Sequence, residues 1–216
     1  MTGARRAAIR LLIGWCGLFV AAELCAQESR GPLLARLSQR LRGRDVERAT
    51  LGGVPVAIWR PAHARGPAPL VVFSHGLHGT ATQSTFLMRA LADRDYLVIA
   101  PDHRDSLRGM ARGAGSWKAE APLGQPDTWT EDTHRDRRDD VQRVIEALRR
   151  DAAWRGRVDW TRLALAGHSL GAYTALGLAG AWPSWKLPGV RAVLALSPYA
   201  SPFARQRTLA GVAVPV

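Results

Sequence analysis

Cysteine is nearly absent from this sequence of 216 residues. Its two cysteines, Cys16 and Cys25, both lie within the first 26 residues, so the rest of the chain contains no thiol. This distribution excludes a fold that depends on disulfides. The sequence also lacks a cluster of His, Cys, Asp and Glu with the spacing of a metal site, and it lacks a glycine-rich phosphate-binding loop. We therefore expect no cofactor and no metal.

A hydrophobic run long enough to span a bilayer is also missing. Leu11–Ala22 is apolar but too short for that purpose. Arginines precede this run and the small residue Ala26 follows it, which is the pattern of a cleaved signal peptide. We therefore predict a signal peptide over residues 1–26, export to the periplasm or the medium, and membrane contact through the signal peptide alone. Residues 27–45 are predicted to form a leader helix or linker, and residues 46–216 a single, incomplete globular domain.

Lysine is as scarce as cysteine. It occurs only at Lys118 and Lys186, so the net charge of +12 comes almost entirely from arginine. A basic chain of this kind is able to bind nucleic acid or anionic surfaces. Its arginines, however, are scattered rather than arranged in a stripe with aromatic residues, which favours a solvated surface. We therefore expect no nucleic-acid partner.

The most informative segment surrounds Ser169. An apolar run, Leu163–Ala166, stops at Gly167-His168-Ser169-Leu170-Gly171 and is followed by Ala- and Leu-rich residues with helical spacing. This order predicts a strand, a sharp turn and a helix, and such a turn holds a serine in strained geometry with its hydroxyl above the sheet. Small residues two positions before and after the serine let the strand and the helix pass closely. Ser169 is therefore the candidate nucleophile, and the N–H group of Leu170 is a candidate donor to the oxyanion.

A second glycine motif follows an earlier apolar run. Leu70–Ser74 leads directly into His75-Gly76-Leu77-His78-Gly79. A nucleophilic serine needs N–H donors for the oxyanion that forms after attack, and a glycine-containing loop beside the turn is able to supply one. We expect His75 and His168 to hold these motifs in shape by hydrogen bonds rather than to take part in catalysis. The predicted motif-supporting residues are His75, Gly76, Gly167, His168 and Gly171.

Together these motifs resemble the α/β-hydrolase superfamily over the whole predicted domain. Within it, Phe73–Leu77, Ala100–Asp105 and Gly167–Ser169 are most similar to the bacterial dienelactone-hydrolase-like and platelet-activating-factor-acetylhydrolase-like esterases. The resemblance implies a three-layer α/β sandwich and a serine hydrolase that acts on a small-molecule or lipid ester. It places Leu77 and Leu170 in the oxyanion-hole positions.

The remaining pattern fits that fold. Gly52-Gly53 predicts an antiparallel hairpin at the start of the domain, and the strands and helices after it alternate as in a mostly parallel sheet. The predicted segments are a hairpin over 46–59, strands at 70–74, 96–101, 162–167 and 190–196, helices at 83–94 and 131–154, and a further strand over 212–216. The C-terminal strands and helices of the fold are expected to be missing from this chain.

Residues 104–130 form a long stretch without regular pattern. Because such a loop would lie above the strand ends, it is placed to wall a substrate pocket. Trp117 and Trp129 within it either line an acyl-binding site or anchor the loop to the protein surface. The sequence leaves both interpretations open.

A serine becomes an effective nucleophile when a histidine, oriented by a carboxylate, removes its proton. In the fold that this chain resembles, the order along the sequence is serine, acid, histidine. No Asp, Glu or His follows Ser169, and Ser197 stands where the acetylhydrolase-like members carry the acid. The acid and the histidine are therefore expected beyond Val216, as in the dienelactone-hydrolase-like members.

Two alternatives to this arrangement remain. The first is a base within the chain, and the two sets available are His103 with Asp102 or Asp105, and His134 with Asp132 or Asp136. The second is a catalytically inactive protein that keeps the fold and uses it to bind a ligand.

Overall fold

The structure is a computed structural model that describes residues 46–113, 115 and 117–216. Its centre is a sheet of six strands in the order β1-β2-β4-β3-β5-β6. The strands are β1 (Glu47–Leu51), β2 (Val54–Trp59), β3 (Ala68–Ser74), β4 (Leu97–Pro101), β5 (Val158–His168) and β6 (Val190–Leu196). The helices are α1 (Thr85–Ala92), α2 (Leu107–Ala111), α3 (Arg135–Arg150), α4 (Ala152–Arg155), α5 (Leu170–Leu176) and α6 (Ser201–Gln206). Short 3₁₀ turns lie at Pro126–Thr128, Pro183–Trp185 and Thr208–Gly211, and a π-helical turn lies at Gly177–Ala181.

The sheet begins antiparallel and continues parallel, as the sequence predicts. β1 and β2 form a hairpin with Leu51 opposite Val54, and the turn between them uses Gly52 and Gly53 at φ values of 57° and 80°. Positive φ at both turn positions is what a two-residue hairpin turn requires. β2 then pairs antiparallel with β4, whereas β4, β3, β5 and β6 pair parallel with their neighbours. The expected mostly parallel α/β sheet with an N-terminal hairpin is therefore confirmed.

The two faces of the sheet carry separate cores. Leu70 and Val72 of β3 pack into one core together with the buried face of α3 and with α5. Val71 and Phe73, which alternate with them, pack into the other core with Met88 of α1. This alternation is the period of two that a strand buried on both faces must show. The result is the three-layer arrangement predicted from the sequence.

Helix α3 matches the amphipathic pattern read from its sequence. The buried apolar side chains of α3 are Val141, Val144, Ile145 and Leu148. Their spacing puts them on one face of the helix, which lies against the sheet, and the charged residues between them face away. Polar side chains extend this buried face towards the start of the helix, where Arg137 and Asp140 are buried as well. The helix therefore brings charged groups to the interior near the C-terminal edge of the sheet.

The end of the chain differs from its prediction. Residues 212–216 do not form a strand, although the N–H group of Val193 in β6 donates to the Pro215 carbonyl at 2.9 Å. Proline carries no N–H group and therefore cannot continue a ladder. Helices α2 and α6 were not predicted; α2 lies within residues 104–130, which were expected to lack regular structure. Helix α1 begins two residues later than the sequence suggested, at Thr85 rather than Gln83.

The predicted signal peptide and leader segment lie outside the described residues. The described part of the chain begins at Val46 and is compact. Within it, every helix is too short or too polar to span a membrane.

We expect Phe73→Ala to lower the free energy of unfolding by about 3 to 5 kcal/mol, because Phe73 is fully buried between the sheet and α1. The matched control is Phe86→Ala, since Phe86 is 78% exposed. Urea unfolding of both variants provides the measurement. Equal losses in the two variants would contradict the assignment of this core.

Candidate active site

Ser169 lies at a sharp turn between β5 and α5. Its backbone has φ 52° and ψ −115°, a strained conformation for a residue other than glycine. The N–H group of Ser169 donates to the carbonyl of Leu196 at 2.9 Å, and its own carbonyl accepts from the N–H group of Tyr199 at 3.2 Å. The turn follows the last residue of β5, so it stands at the C-terminal edge of the parallel strands. There it lies between the ends of β3 and β6. This strand–turn–helix geometry is the one expected of a nucleophile elbow.

The glycines around Ser169 permit a very close backbone approach. A Cβ atom on Gly167 would lie 2.2 Å from the carbonyl oxygen of Gly171. A Cβ atom on Gly171 would lie 1.9 Å from the carbonyl oxygen of Ser74 at the end of β3. Both distances are far below any real contact, so these positions exclude a larger side chain. The small residues predicted on both sides of Ser169 therefore have a direct steric cause.

The loop after β3 lies beside this turn. The N–H group of Gly76 donates to Oε1 of Gln83 at 2.9 Å, and Nε2 of Gln83 donates to Nδ1 of His168 at 2.8 Å. One glutamine therefore joins the loop to the residue before Ser169. Among the described residues, the N–H groups of Leu77 and Leu170 have no hydrogen-bond acceptor. Two backbone donors are thus unoccupied on neighbouring segments.

A buried arginine holds the same loop from the other side. The side chain of Arg137 is completely buried, and its Nη1 and Nη2 atoms donate to the carbonyls of His75 at 2.8 Å and Gly76 at 3.2 Å. Asp105 balances the charge by accepting from Nε at 3.1 Å and from Nη2 at 2.8 Å. A buried charge is tolerated when it is paired and fully hydrogen-bonded, as it is here.

His75 links this arginine cluster to the next buried group. Its Nδ1 atom lies 2.6 Å from the carbonyl of Gly76, and its Nε2 atom accepts from the N–H group of His103 at 3.1 Å. These partners require the proton to be on Nδ1. Burial, followed by the charge of Arg137, holds the pKa of His75 well below its ordinary value, so the ring is neutral.

His103 belongs to a buried serine–histidine–aspartate arrangement that does not include Ser169. Its Nε2 atom lies 2.7 Å from the hydroxyl of Ser74, and its Nδ1 atom lies 2.8 Å from a carboxylate oxygen of Asp140. All three residues are buried, with 2% of Ser74 and 0% of His103 exposed. No substrate reaches a serine in that position. The hypothesis that His103 serves Ser169 with Asp102 or Asp105 is therefore wrong for this structure.

The carboxylates expected to assist His103 have other partners. Asp102 accepts from the N–H group of Ala81 at 2.6 Å and lies 3.5 Å from the guanidinium of Arg48. Asp105 is bound to Arg137. Asp102 and Asp105, which both follow β4 within four residues, thus bind different partners, and sequence proximity to His103 did not indicate contact.

His134 is also unsuited to act as the base for Ser169. It is buried against the ring of Trp129, at a centroid distance of 5.4 Å, and its Nε2 atom has no hydrogen-bond partner among the described residues. Burial, followed by the charge of Arg137, lowers the pKa of His134 to about 4. Of the expected acids, Asp132 pairs with Arg135. Asp136 has an oxygen within 4.8 Å of a His134 ring nitrogen, but it accepts its hydrogen bond from the N–H group of Arg137.

The two tryptophans of the long connection have different environments. Trp129 is fully buried and packs against Tyr173 and Tyr199, at centroid distances of 5.1 and 4.7 Å. It therefore anchors the connection to the core, and its assignment to a substrate pocket is corrected. Trp117 is 70% exposed and tilts against the ring of His78 beside the Leu77 loop, at a centroid distance of 5.6 Å. Its role in a pocket stays a prediction.

One group within the described residues brings together potential metal ligands that the sequence spacing did not reveal. Donor atoms of Glu120, His134 and Asp136 lie within 4.8 Å of one another. Both carboxylates already cap the start of α3, because Glu120 accepts from the N–H group of His134 and Asp136 accepts from that of Arg137. Helix capping thus accounts for their position.

A cleft of about 370 Å³ opens at the opposite edge of the sheet. It is lined in part by Arg60, Trp154 and Arg157. These residues flank the N-terminal ends of β3 and β5, whereas Ser169 follows the C-terminal end of β5. This cleft is therefore separate from the candidate active site.

Sequence reasoning missed three residues that shape the site: Gln83, Arg137 and Asp140. For the two residues of α3 a signal was present. Arg137 precedes Val141 by four positions and Asp140 precedes Val144 by four, so the apolar face of the predicted helix extends through them. Charged residues on a buried helical face indicate internal partners. Gln83 carried no comparable signal.

Residues 71–215 match the family described as the alpha/beta hydrolase family. The esterase LipW from Mycobacterium marinum is similar at 28% identity and a TM-score of 0.50, over 77% of this chain and 51% of that one. No curated protein matches the sequence.

Two further solved structures share the fold at 19% identity. A bacterial heroin esterase gives a TM-score of 0.52 over 71% of this chain and 44% of that one. A dienelactone hydrolase-like promiscuous phosphotriesterase, P91, from metagenomic libraries gives 0.50 over 71% and 59%. The chain thus spans about half the length of the solved structures it matches. The predicted resemblance to the α/β-hydrolase superfamily is confirmed.

Gly171→Ala should destabilise the protein by about 1 to 3 kcal/mol, because the new Cβ atom would collide with the Ser74 carbonyl. Within a helix the same change ordinarily stabilises by about 1 kcal/mol, so the sign of the effect is diagnostic. Gly156→Ala serves as the control, since its Cβ atom would contact nothing within 4 Å. Thermal unfolding of both variants tests the close approach, and a stabilised Gly171→Ala would refute it.

Asp105→Asn should make stability less dependent on pH in the acidic range. Burial raises the pKa of Asp105, but the charge and hydrogen bonds of Arg137 outweigh burial and lower it from 3.8 to about 2. Because the unfolded chain then binds the proton more tightly, the ionised carboxylate stabilises the fold above about pH 4, and this contribution disappears as pH falls through about 2. The shift corresponds to about 2 kcal/mol.

The measurement is urea unfolding of wild type and Asp105→Asn between pH 2 and pH 7. The stability difference between them should shrink below about pH 4. Asp127→Asn is the control, because Asp127 is exposed. A difference between wild type and Asp105→Asn that stays constant down to pH 2 would rule out the buried ion pair.

Proposed function

The chain belongs to the alpha/beta hydrolase family, and on that premise we propose that it cleaves carboxylic ester bonds with Ser169 as the nucleophile. The observation that carries the proposal is the strained backbone of Ser169 at the turn between β5 and α5. Strain of this kind is costly, and it persists where the surrounding structure imposes it, typically at functional sites. Here the two glycine contacts and the hydrogen bonds to Leu196 and Tyr199 impose it.

The proposed reaction has two steps. The Ser169 hydroxyl loses its proton to a general base as its oxygen attacks the ester carbonyl carbon, which gives a tetrahedral oxyanion. Collapse of this species breaks the bond to the alcohol, which leaves with the proton and gives an acyl-enzyme. Water then attacks the acyl carbon by the same route, releases the carboxylic acid and restores the serine.

The oxyanion is the part of this reaction for which the chain has donors. Leu170 follows Ser169 directly and begins α5, while Leu77 lies on the loop that Gln83 joins to His168. The N–H groups of both leucines are unoccupied within the described residues. One donor of this kind contributes about 100- to 1,000-fold to the rate in a serine hydrolase.

The acid and the base are proposed to come from beyond Val216. No Asp, Glu or His follows Ser169 in the sequence. The nearby histidines have other surroundings: His75 and His103 are bound in the buried network, His168 to Gln83, and His134 packs against Trp129. Within the described residues, the Ser169 hydroxyl has no hydrogen-bond partner.

The substrate class proposed is a small-molecule or lipid ester, met after export. The esterase LipW supports ester chemistry, at 28% identity over 77% of this chain. Trp117, exposed beside the Leu77 loop, is the candidate for contact with the acyl group. A second candidate function is binding without catalysis, and the observation that favours it is the unpartnered hydroxyl of Ser169.

A fluorophosphonate probe, which labels activated serines, tests the proposal. We expect the product of the reading frame continued beyond codon 216 to be labelled at Ser169. The 216-residue chain should hydrolyse p-nitrophenyl acetate barely faster than its Ser169→Ala variant, because the oxyanion donors and binding alone retain a small part of catalysis. Peptide mass spectrometry identifies the labelled residue.

Ser74→Ala is the matched control, since Ser74 also carries a histidine and an aspartate but is buried. It should leave labelling intact. Labelling lost in Ser74→Ala and kept in Ser169→Ala would reverse the assignment. Robust turnover by the 216-residue chain that disappears in His103→Ala or His134→Ala would place the base within this chain. No labelling in any form would favour the binding protein.

A further inference from the structure

The direction of the Leu77 N–H group is fixed by the atom that precedes it. The carbonyl of Gly76 and the N–H group of Leu77 belong to one peptide unit, and no peptide bond among the described residues is cis. In a planar trans peptide these two groups point in opposite directions. Whatever holds the Gly76 carbonyl therefore also sets where the Leu77 N–H group points.

Three donors hold that carbonyl. It accepts from the N–H group of Gly79 at 3.0 Å, from Nδ1 of His75 at 2.6 Å and from Nη2 of Arg137 at 3.2 Å. Two of these donors, His75 and Gly79, belong to the loop itself, and His75 is also tied to the backbone of His103 through its Nε2 atom. Arg137 is the donor that connects the carbonyl to a helix outside the loop.

The preceding peptide unit is held in the same way. Its carbonyl, on His75, accepts from Nη1 of Arg137 at 2.8 Å, and its N–H group, on Gly76, donates to Oε1 of Gln83 at 2.9 Å. One guanidinium thus donates to two consecutive carbonyls. Rotation of either peptide unit would break one of these hydrogen bonds. Lysine has a single nitrogen and lacks this planar fork.

Arg137 itself has little freedom. It is completely buried on α3, and Asp105 receives two hydrogen bonds from the side of the guanidinium that the loop leaves open. Hydrogen bonds to the carbonyl of a peptide also polarise it, so the N–H group at its other end becomes a stronger donor, by about 10 to 30% per bond. Orientation and polarisation therefore act on the same atom.

We propose that Arg137, anchored by Asp105, is the positioning residue of the oxyanion hole: by fixing the carbonyls of His75 and Gly76, it aims the N–H group of Leu77 at the oxyanion. This inference rests on the proposed function of Ser169. Arg137 contacts no substrate and acts through the loop alone. Its effect should accordingly appear in the rate of the chemical step rather than in substrate binding.

Arg137→Lys in the form of the protein that the fluorophosphonate probe labels is the test. We expect kcat for p-nitrophenyl acetate to fall by about 10- to 100-fold, somewhat less than the loss of a whole oxyanion donor, while KM changes less than about threefold. Arg138→Lys is the matched control, because Arg138 neighbours it on α3 but pairs with Asp139. It should leave both constants within about twofold of wild type.

Hydrogen exchange of the loop provides a readout that does not need activity. In wild type the amides of Gly76 and Gly79 are hydrogen-bonded, to Gln83 and to the Gly76 carbonyl. In Arg137→Lys the peptide that covers residues 75–79 should exchange at least about tenfold faster, whereas α1 should be unchanged. Arg138→Lys should exchange as wild type does.

The outcomes separate the two proposals. A wild type that neither labels nor turns over ends the proposed function, and the exchange measurement alone then decides whether Arg137 positions the loop. A folded Arg137→Lys with wild-type kcat, or with wild-type exchange at 75–79, overturns the inference. A higher KM with unchanged kcat in Arg137→Lys also overturns the inference. If Arg137→Lys does not unfold cooperatively, Asp105→Asn replaces it, with a fall in kcat of about three- to tenfold expected and an unchanged kcat overturning the inference.

Discussion

The site depends on contact between the backbone of α5 and the end of β3. The carbonyl of Ser74 lies where a Cβ atom of Gly171 would be, and this contact places the turn at Ser169 against the loop that follows β3. The same residue is held through its side chain, because its hydroxyl lies 2.7 Å from His103. The position of the end of β3 is therefore set twice, once by a backbone contact on the side of Ser169 and once by the buried polar network. A shift of Ser74 would therefore disturb both the turn at Ser169 and the buried polar network.

That network is costly in isolation, since removing a guanidinium and two carboxylates from water costs several kcal/mol per ion before pairing. Replacement by apolar side chains of similar volume often stabilises a protein. The bonds of Arg137 indicate what the polar alternative supplies, because two of its partners are carbonyls of the loop and no hydrocarbon would hold them. Helix α3 positions the cluster, with Arg137 and Asp140 three residues apart on the face that continues as the apolar stripe. At this end of α3, hydrogen bonds from Arg137 to the loop carbonyls therefore take the place of an apolar core.

The sequence predicted the sheet and the turn at Ser169 because both leave local signals: alternation in β3, Gly-Gly in the hairpin, and small residues two positions from the serine. It did not predict the partners of His103. Proximity pointed to Asp102 and Asp105, but these bind Ala81 and Arg137, while the actual partner, Asp140, is 37 positions away on a helix. Long-range polar contacts depend on how elements pack, which a single sequence does not state. The prediction for Trp129 was wrong for a related reason. In the sequence, a tryptophan in an irregular stretch carries no sign of whether it faces a pocket or, as here, the core.

The chain therefore contains two serines with complementary features. Ser74 has the hydrogen-bond order of a catalytic triad, yet it lies within a strand, is 2% exposed, and its Oγ also lies 3.4 Å from a guanidinium nitrogen. Ser169 lacks a base among the described residues, yet it has the strained turn, partial exposure and two free N–H groups nearby. A histidine and an acid activate a serine hydroxyl. They do not give an ester carbonyl access to a hydroxyl that is buried. In the proposed mechanism, access and oxyanion donors belong to the fold around Ser169, and the base is a single side chain that another segment would supply. The strained turn and the nearby N–H donors are harder to replace than a base, and they favour Ser169 as the nucleophile in the proposed mechanism. The hydrogen bonds of Ser74 instead stabilise the end of β3.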